Sequence, residues 1–331
     1  MKISVVDQSP IFSNTDANQA LIDSIELAKL TDSYGLHRYW VAEHHGALSF
    51  AGCAPEIFIP KIASETSSIR VGSGGVMLMH YSPYKVAENF NVLATLAPGR
   101  GDLGIGGGPG GLPKSTSALQ QEPSITRDSL SQKVVQLGQF LHDNLSPDSN
   151  LYGLKATPSP SSPADMFMLG TTANSAGLAA ALSLPYVFAL FLNNDEKVMS
   201  ESVGQYRSAF KSSYNSHPQV MLALPVVVAD TEKEAALLAA DIKVVRIELK
   251  DGRSFTVRSE EAAHEFGRQV DVEYTVTVQP PAVLHGSQKT IEQKLNDISR
   301  HYDVDEFVIV TAIGDFPKRL RSYRLLAEVF N

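Results

Sequence analysis

Short β-branched runs alternate with longer helical patterns along almost the whole chain, and this alternation limits the fold more than any other feature. The strand candidates are Ile3–Val6, Tyr39–Ala42, Ile69–Gly72, Asp102–Ile105, Met166–Leu169, Tyr186–Leu190, Val220–Val228 and Phe307–Val310. Between them, apolar residues recur at helical spacing: Leu21, Ile25 and Ala28, then Val86, Phe90, Leu93 and Ala97, and near the end Leu320, Tyr323, Ala327 and Phe330. Proline opens the pattern at Pro55, and Pro98-Gly99 stops the one before it. Eight strands, most of them followed by a helix, predict an α/β fold, a (β/α)8 TIM barrel. An open doubly wound sheet stays open as the alternative, because strand order is not readable from one sequence.

At 331 residues the chain fits one barrel with insertions, and two ordinary domains would also fit. The reading adopted is a single domain over 1–331 that contains two interruptions. Ser146–Pro163, dense in Ser, Pro and Asn, predicts a surface loop. Asp251–His285, with the β-type patch Tyr274–Val278, predicts an insertion before the last βα unit.

A net charge of −8 argues against nucleic acid or an anionic membrane as the main partner. It suits a cytoplasmic protein with a small-molecule substrate. Met1–Asp7 lacks the apolar core of a signal peptide, and no run approaches the ~18 apolar residues of a membrane helix. Cys53 is the only cysteine, which excludes an intrachain disulfide and a thiolate metal cluster. A nucleophile or a small residue packed before a helix are its two readings.

In a barrel of this kind the chemistry sits where strands end at their C-terminal side. Polar or glycine-rich segments follow several strand candidates: Asp7-Gln8-Ser9-Pro10, Glu43-His44-His45, Gly72-Ser73-Gly74-Gly75, the tract Gly106–Gly111, and Gly170–Ser175. Side chains alternate along a strand, so His44 and His45 should point opposite ways, and a metal shared between them is not expected. One histidine as a general acid or base, and two hydrogen-bonded structural histidines, are both open. Gly106–Gly111 formally matches G-x-G-x-x-G, but Leu112-Pro113 follows where a dinucleotide fingerprint needs a helix, so a loop is expected. Thr171, Thr172, Asn174 and Ser175 precede an apolar helical stretch and suggest a phosphate site at a helix N-terminus, against ordinary capping. Gly74-Gly75 would let a flat ligand approach the backbone, or would simply make a turn, and His80, Tyr81 and Ser82 follow closely.

Taken together, these segments resemble the bacterial luciferase-like, flavin-dependent monooxygenases, above all the single-chain luciferase-like oxidoreductases. The resemblance runs through Asp7–Pro10, Tyr39–His45, Val71–Leu78, Ala97–Gly106, Leu169–Thr172, Leu182–Tyr186 and Leu320–Glu328. It implies an FMN-dependent monooxygenase, a homodimer, that uses reduced FMN from a separate flavin reductase, with O2, on a small organic substrate. It implies an essential histidine at His44, tuned by Glu43 or Asp7, with Asp7 among the cofactor-binding residues, Trp40, Gly74 and Gly75 bordering the flavin ring, and an unusual cis peptide at Gly74-Gly75. It places the flavin phosphate at Thr171, Thr172 and Ser175, beside Gly106 and Gly107. Many relatives carry an arginine where Gly107 stands. A missing charged hydrogen bond of about 1.5–3 kcal/mol predicts looser flavin binding, or another cation such as Lys114 in its place. Hydride transfer with the deazaflavin F420 on the same barrel is the alternative activity, and a flavin-binding protein without turnover is the other.

Overall fold

In a computed structural model, which describes all residues except 121–127, 213–216, 243, 251–253, 258, 280–281, 305 and 331, the eight expected strands close into a parallel barrel. The first seven strands are β1 (Lys2–Asp7), β2 (Arg38–Val41), β3 (Arg70–Met77), β4 (Gly101–Gly106), β5 (Asp165–Gly170), β6 (Tyr186–Ala189) and β7 (Val220–Ala229). Three more belong to an insertion, β8 (Val244–Leu249), β9 (Ser254–Val257) and β10 (Tyr274–Gln279), and β11 (Leu284–Ser287) and β12 (Glu306–Val310) follow. Neighbours from β1 to β7 pair in sequence order, and β12 closes the ring between β7 and β1.

Helices α1 (Ala17–Ser33), α2 (Pro55–Glu65), α3 (Pro83–Leu96), α4 (Pro113–Leu119), α5 (Leu130–Leu141), α6 (Ala173–Ala181), α7 (Glu196–Ala209), α8 (Glu232–Ala240), α9 (Glu260–Gln269), α10 (Gln288–Tyr302) and α11 (Phe316–Phe330) complete the chain. Side-chain alternation divides the apolar residues into two shells. Val6, Trp40, Ala42, Phe167, Val187, Met221 and Val308 fill the barrel, while Val5, Tyr39, Val71, Leu103, Phe188 and Phe307 pack outward among the helices. On α1 the buried face is shifted by a residue from the expected stripe: Ala20, Ser24, Leu27, Ala28 and Thr31 are buried. The small hydroxyl residues are tolerated there because Ser24 Oγ and Thr31 Oγ1 donate to carbonyls of their own helix.

The N-terminal end of the barrel is closed by charge. Arg38 Nε donates to Glu306 Oε1 at 2.8 Å and its Nη1 to Asp102 Oδ2 at 2.8 Å. Asp102 also accepts from Trp40 Nε1 at 2.9 Å and from Arg70, and Glu306 accepts from Ser4 Oγ at 2.6 Å. The Arg38 guanidinium lies 4.7 Å from the Phe167 ring centre. This network anchors Trp40 from below.

The insertion starts earlier than the sequence suggests. Strand β8 is central, with β9 and β10 antiparallel on either side, so the sheet begins at Val244; Asp251, the expected start, lies outside the described residues. Helix α9 packs Ala263 and Phe266 on Val245, Ile247 and Leu249. The chain returns through β11, which pairs with the C-terminal half of β7 from Val226 to Ala229, above the stretch where β7 pairs with β12. The insertion is therefore tied to the C-terminal mouth of the barrel.

Candidate active site

Three elements converge at that mouth. The first is a shelf at the end of β3. The Gly74-Gly75 peptide is cis, and the β3–β4 register shifts between Ser73 and Val76. A Cβ on Gly74 would lie 2.9 Å from Val6 Cγ2 and 3.1 Å from Trp40 Cβ, and one on Gly75 would lie 2.6 Å from the Gly104 carbonyl oxygen. Only glycine lets β3 sit this close to its neighbours, and the result is a surface without side chains above the Trp40 layer.

The second element is a carboxylate shared by three donors. Glu43, 3 % exposed, accepts at Oε1 from Tyr81 OH at 2.7 Å, and His45 Nε2 lies 2.6 Å from the same oxygen. Glu43 Oε2 accepts from the Met77 backbone N–H at 3.1 Å. Two donors at one carboxylate oxygen require the proton of neutral His45 on Nε2, which leaves Nδ1 as the basic atom of the ring. Burial, and after it the hydrogen bond and charge of Glu43, push the Tyr81 hydroxyl far above its usual range, so Tyr81 stays a donor.

Period-two geometry explains why Glu43 serves His45: residues 43 and 45 share one side of the extended segment and His44 takes the other. The His44 ring stacks on Phe50 with centres 4.0 Å apart and planes 12° from parallel. The tuning of His44 expected from Glu43 or Asp7 is thus redirected. Glu43 is bonded to His45, Tyr81 and Met77. Asp7 faces outward with Val5 rather than inward with Val6, is fully buried, and accepts from Tyr39 OH at 2.8 Å and from Arg319 Nη2 on α11. Burial alone would raise its pKa, but Arg319 and the hydrogen bonds of Ser24 and Tyr39 outweigh that and hold it below the usual carboxylate range. Asp7 joins barrel to helix and is held away from the mouth.

The third element is the N-terminus of α6. Thr172 caps it, with its Oγ1 accepting from Ser175 N–H at 3.3 Å, while Ser175 Oγ approaches the Thr172 N–H at 3.3 Å and donates to the Thr172 carbonyl at 2.7 Å. Capping therefore uses the Thr172 and Ser175 hydroxyls that were expected to meet a phosphate. The Thr171 carbonyl accepts from Asn193 Nδ2 at 3.0 Å. The Thr172 carbonyl takes the Ala176 N–H, so the N–H groups of Ala173 and Asn174 are the ones left at the helix end for an anion.

The glycine tract 106–111 is held in place at several points. His45 N–H donates to the Gly110 carbonyl at 2.8 Å, His45 pairs with Gly111 in a parallel bridge, and His80 Nε2 lies 2.8 Å from the Pro109 carbonyl. Gly110 has φ +61°, and a Cβ on Gly111 would lie 2.0 Å from the His45 carbonyl oxygen. A short helix, α4, does follow the tract. A Cβ on Gly107 would meet Leu130 Cδ2 at 2.6 Å, so Leu130 fills the space beside it. Lys114, the expected substitute cation, is exposed on α4, and its backbone N–H is bound by Gln269 of the insertion.

Sequence reasoning passed over the pairing of His45 with Glu43, whose signal was the i, i+2 spacing, and placed Tyr81 only loosely. Leu112 and Gln269 carry no local signal. Among the described residues no group of three or more His, Cys, Asp or Glu could hold a metal ion, and no helix is long and apolar enough to cross a membrane.

Comparison with known proteins completes the description. A model of the family described as luciferase-like monooxygenase matches residues 1–275. The N-acetyl-S-alkylcysteine monooxygenase of Bacillus subtilis strain 168 is 37 % identical over 331 residues, covering 99 % of this chain and 98 % of that protein. The crystal structure of apo-MsnO8 superposes with a TM-score of 0.80 at 35 % identity, over 99 % of this chain and 98 % of that one. The oxygenating constituent of 3,6-diketocamphane monooxygenase from Pseudomonas putida, a type II Baeyer–Villiger monooxygenase solved in complex with FMN, superposes with a TM-score of 0.72, over 99 % of this chain and 97 % of that one. At 16 % identity that last likeness is one of fold.

Proposed function

The chain belongs to the luciferase-like monooxygenase family and is an enzyme of that class, and from this premise we propose that it binds reduced FMN at the barrel mouth and oxygenates a thioether. The observation that carries the reading is the side-chain-free shelf of Gly74 and Gly75, set above Trp40 and beside the fixed Glu43–His45–Tyr81 group at the C-terminal ends of the strands.

The residues present fit a planar, anionic cofactor. Gly74 and Gly75 offer backbone and no side chain to a ring, the Trp40 layer supports the shelf from below, and Met77 and Leu130 lie against Gly106 and Gly107. The end of α6 at Thr171, Thr172 and Ser175, through the N–H groups of Ala173 and Asn174, would hold the phosphate. No charged partner is called for at Gly107, so the grip is a backbone one, which suits a cofactor received from a separate flavin reductase and released after each cycle.

When bound, reduced FMN supplies the two electrons and two protons with which O2 places one oxygen on the substrate and the other in water. His44 would face the reacting atoms and hold or move a proton there. His45, with its Nε2 proton fixed by Glu43, keeps the segment carrying His44 in register. Leu169 and Phe191, partly buried on the apolar filling of the barrel, would line an S-alkyl group and exclude water. The thioether substrate class is supported by the full-length similarity to the N-acetyl-S-alkylcysteine monooxygenase.

The test has two stages. Anaerobic titration with reduced FMN should give saturable binding; no saturation would overturn the cofactor assignment. Supplied with FMN, a flavin reductase and NADH in air, the enzyme should oxygenate N-acetyl-S-alkylcysteines. Oxygenation of other compounds only would replace the substrate class, and turnover that needs F420 and no O2 would replace the reaction.

A further inference from the structure

We propose that the insertion is a working part of the mouth and is joined to it through Leu112 and Gln269, two residues that position the glycine tract against His45. The Gln269 side chain at the end of α9 is oriented from both sides. Its Nε2 donates to Glu265 Oε1 at 2.8 Å, which turns Oε1 toward α4, where it accepts the Lys114 backbone N–H at 3.0 Å. That N–H belongs to the first turn of α4 and has no partner within the helix, so the insertion supplies the cap that Leu112 cannot, having no side-chain acceptor. Leu112 itself packs into the apolar core of the insertion with Val245, Ile247 and Phe266, although it belongs to the β4–α4 connection. Apolar docking and a hydrogen bond therefore act on adjacent residues of one short segment.

From that segment the connection continues into the site. Gly110 and Gly111 precede Leu112 and are stitched to the backbone of His45, and Ser115 Oγ on α4 donates to the Leu112 carbonyl at 2.7 Å and approaches the His45 carbonyl at 3.4 Å. The His45 ring ends on Glu43, which also holds Tyr81 and the end of β3. The chain of contacts runs from the insertion through Leu112 and Gln269 to Gly110–Gly111, then to His45 and Glu43. Leu112 and Gln269 are positioning residues: they touch no reacting atom. Their consequence for the bound flavin rests on the cofactor assignment above, but the coupling itself does not.

Hydrogen exchange on the full chain without flavin tests the coupling. Leu112→Ala, which loses the apolar docking, and Gln269→Met, an isostere without the acceptor, should each speed exchange in peptides spanning 106–119 by about tenfold, the order expected for the loss of one such local contact, and leave β7 and β12 unchanged. Leu112→Met should restore wild-type exchange. Unchanged exchange in both variants, or a Leu112→Met protein as open as Leu112→Ala, would overturn the proposal. In anaerobic titration with reduced FMN, the affinity of Leu112→Ala should fall several-fold below that of wild type and of Leu112→Met. Equal affinity in all three would show that the coupling stops short of the site and overturn its functional half. Absence of saturable binding of reduced FMN to the wild type would instead overturn the cofactor assignment and leave the coupling to the exchange result.

Discussion

The two ends of the barrel each carry a buried carboxylate held by several donors, yet they are built for different ends. At the N-terminal end Asp102 is fully buried and meets Arg38, Arg70 and Trp40, so opposite charge surrounds it. At the C-terminal end Glu43 meets a tyrosine, an imidazole and a backbone N–H, and none of these is a permanent cation. Arginine keeps its charge at every accessible pH and locks a geometry. Of these, imidazole is the proton carrier, while the Tyr81 hydroxyl keeps its proton, so the upper end can hand a proton on through a histidine while the lower one cannot. Charge at the bottom of such a barrel reads as stability and charge at the top as chemistry.

Removing Asp102 should have the largest effect. Asp102→Ala takes the shared carboxylate from Arg38, Arg70 and Trp40, leaving Arg38 with Glu306 and Arg70 with Asp165, and breaking a buried pair in this way costs about 3–5 kcal/mol. Denaturant unfolding checks it, and a loss below ~1 kcal/mol would mean the lower network is not structural. The reverse pattern is expected at the top. His44→Ala should lower turnover on the order of 10²–10⁴-fold with little change in the unfolding midpoint. Equal turnover in that variant would remove His44 from the chemistry.

Tyr81→Phe is a milder cut, because Glu43 keeps His45 and the Met77 N–H. Stability should fall by about 1–2 kcal/mol and turnover by roughly tenfold or less. A loss as large as that of His44→Ala would make Tyr81 itself a proton carrier.

The smallest effect is the pH response of the lower end. Burial holds the His37 pKa below its usual 6.5, assisted by Arg38 and Lys2 and opposed by Glu306, so the folded state prefers the neutral ring. The unfolded chain then binds the proton more readily, and the stability this contributes is complete above pH 6.5 and declines as pH falls below it. Asp7, also held low, adds a second decline below its usual 3.8. Unfolding midpoints measured across pH 4–8 (about four units centred on the ordinary histidine range) should show the first decline flattened in His37→Gln. An unaltered slope would assign it to other groups.

Much of this arrangement was legible from residue order. Short β-branched runs placed all eight barrel strands, since a strand buried on both faces leaves a near-continuous apolar run whatever its partner. The same alternation separated His44 from His45. Extended to their neighbours, the same alternation sets Glu43 beside His45 and turns Asp7 outward to Arg319, so neither meets His44. The threonine and serine of 171–175 read equally as cap or anion site, because both uses need hydroxyls at a helix start; the cap is made, and the two backbone N–H groups beyond it are what is left for an anion.

The sequence by itself determined the eight strands, their alternation with helices and the strand ends at which polar residues collect, because these depend on local periodicity and on glycine and proline within a few residues. The strand order that closes them into a barrel came from the tertiary structure. Which side chains meet was decided only by the tertiary structure. Asp102 finds Arg38 across 64 positions, and Gln269 finds Lys114 across 155. No local pattern records such contacts: they exist because closing the barrel and folding the insertion back along β7 bring distant backbone into register.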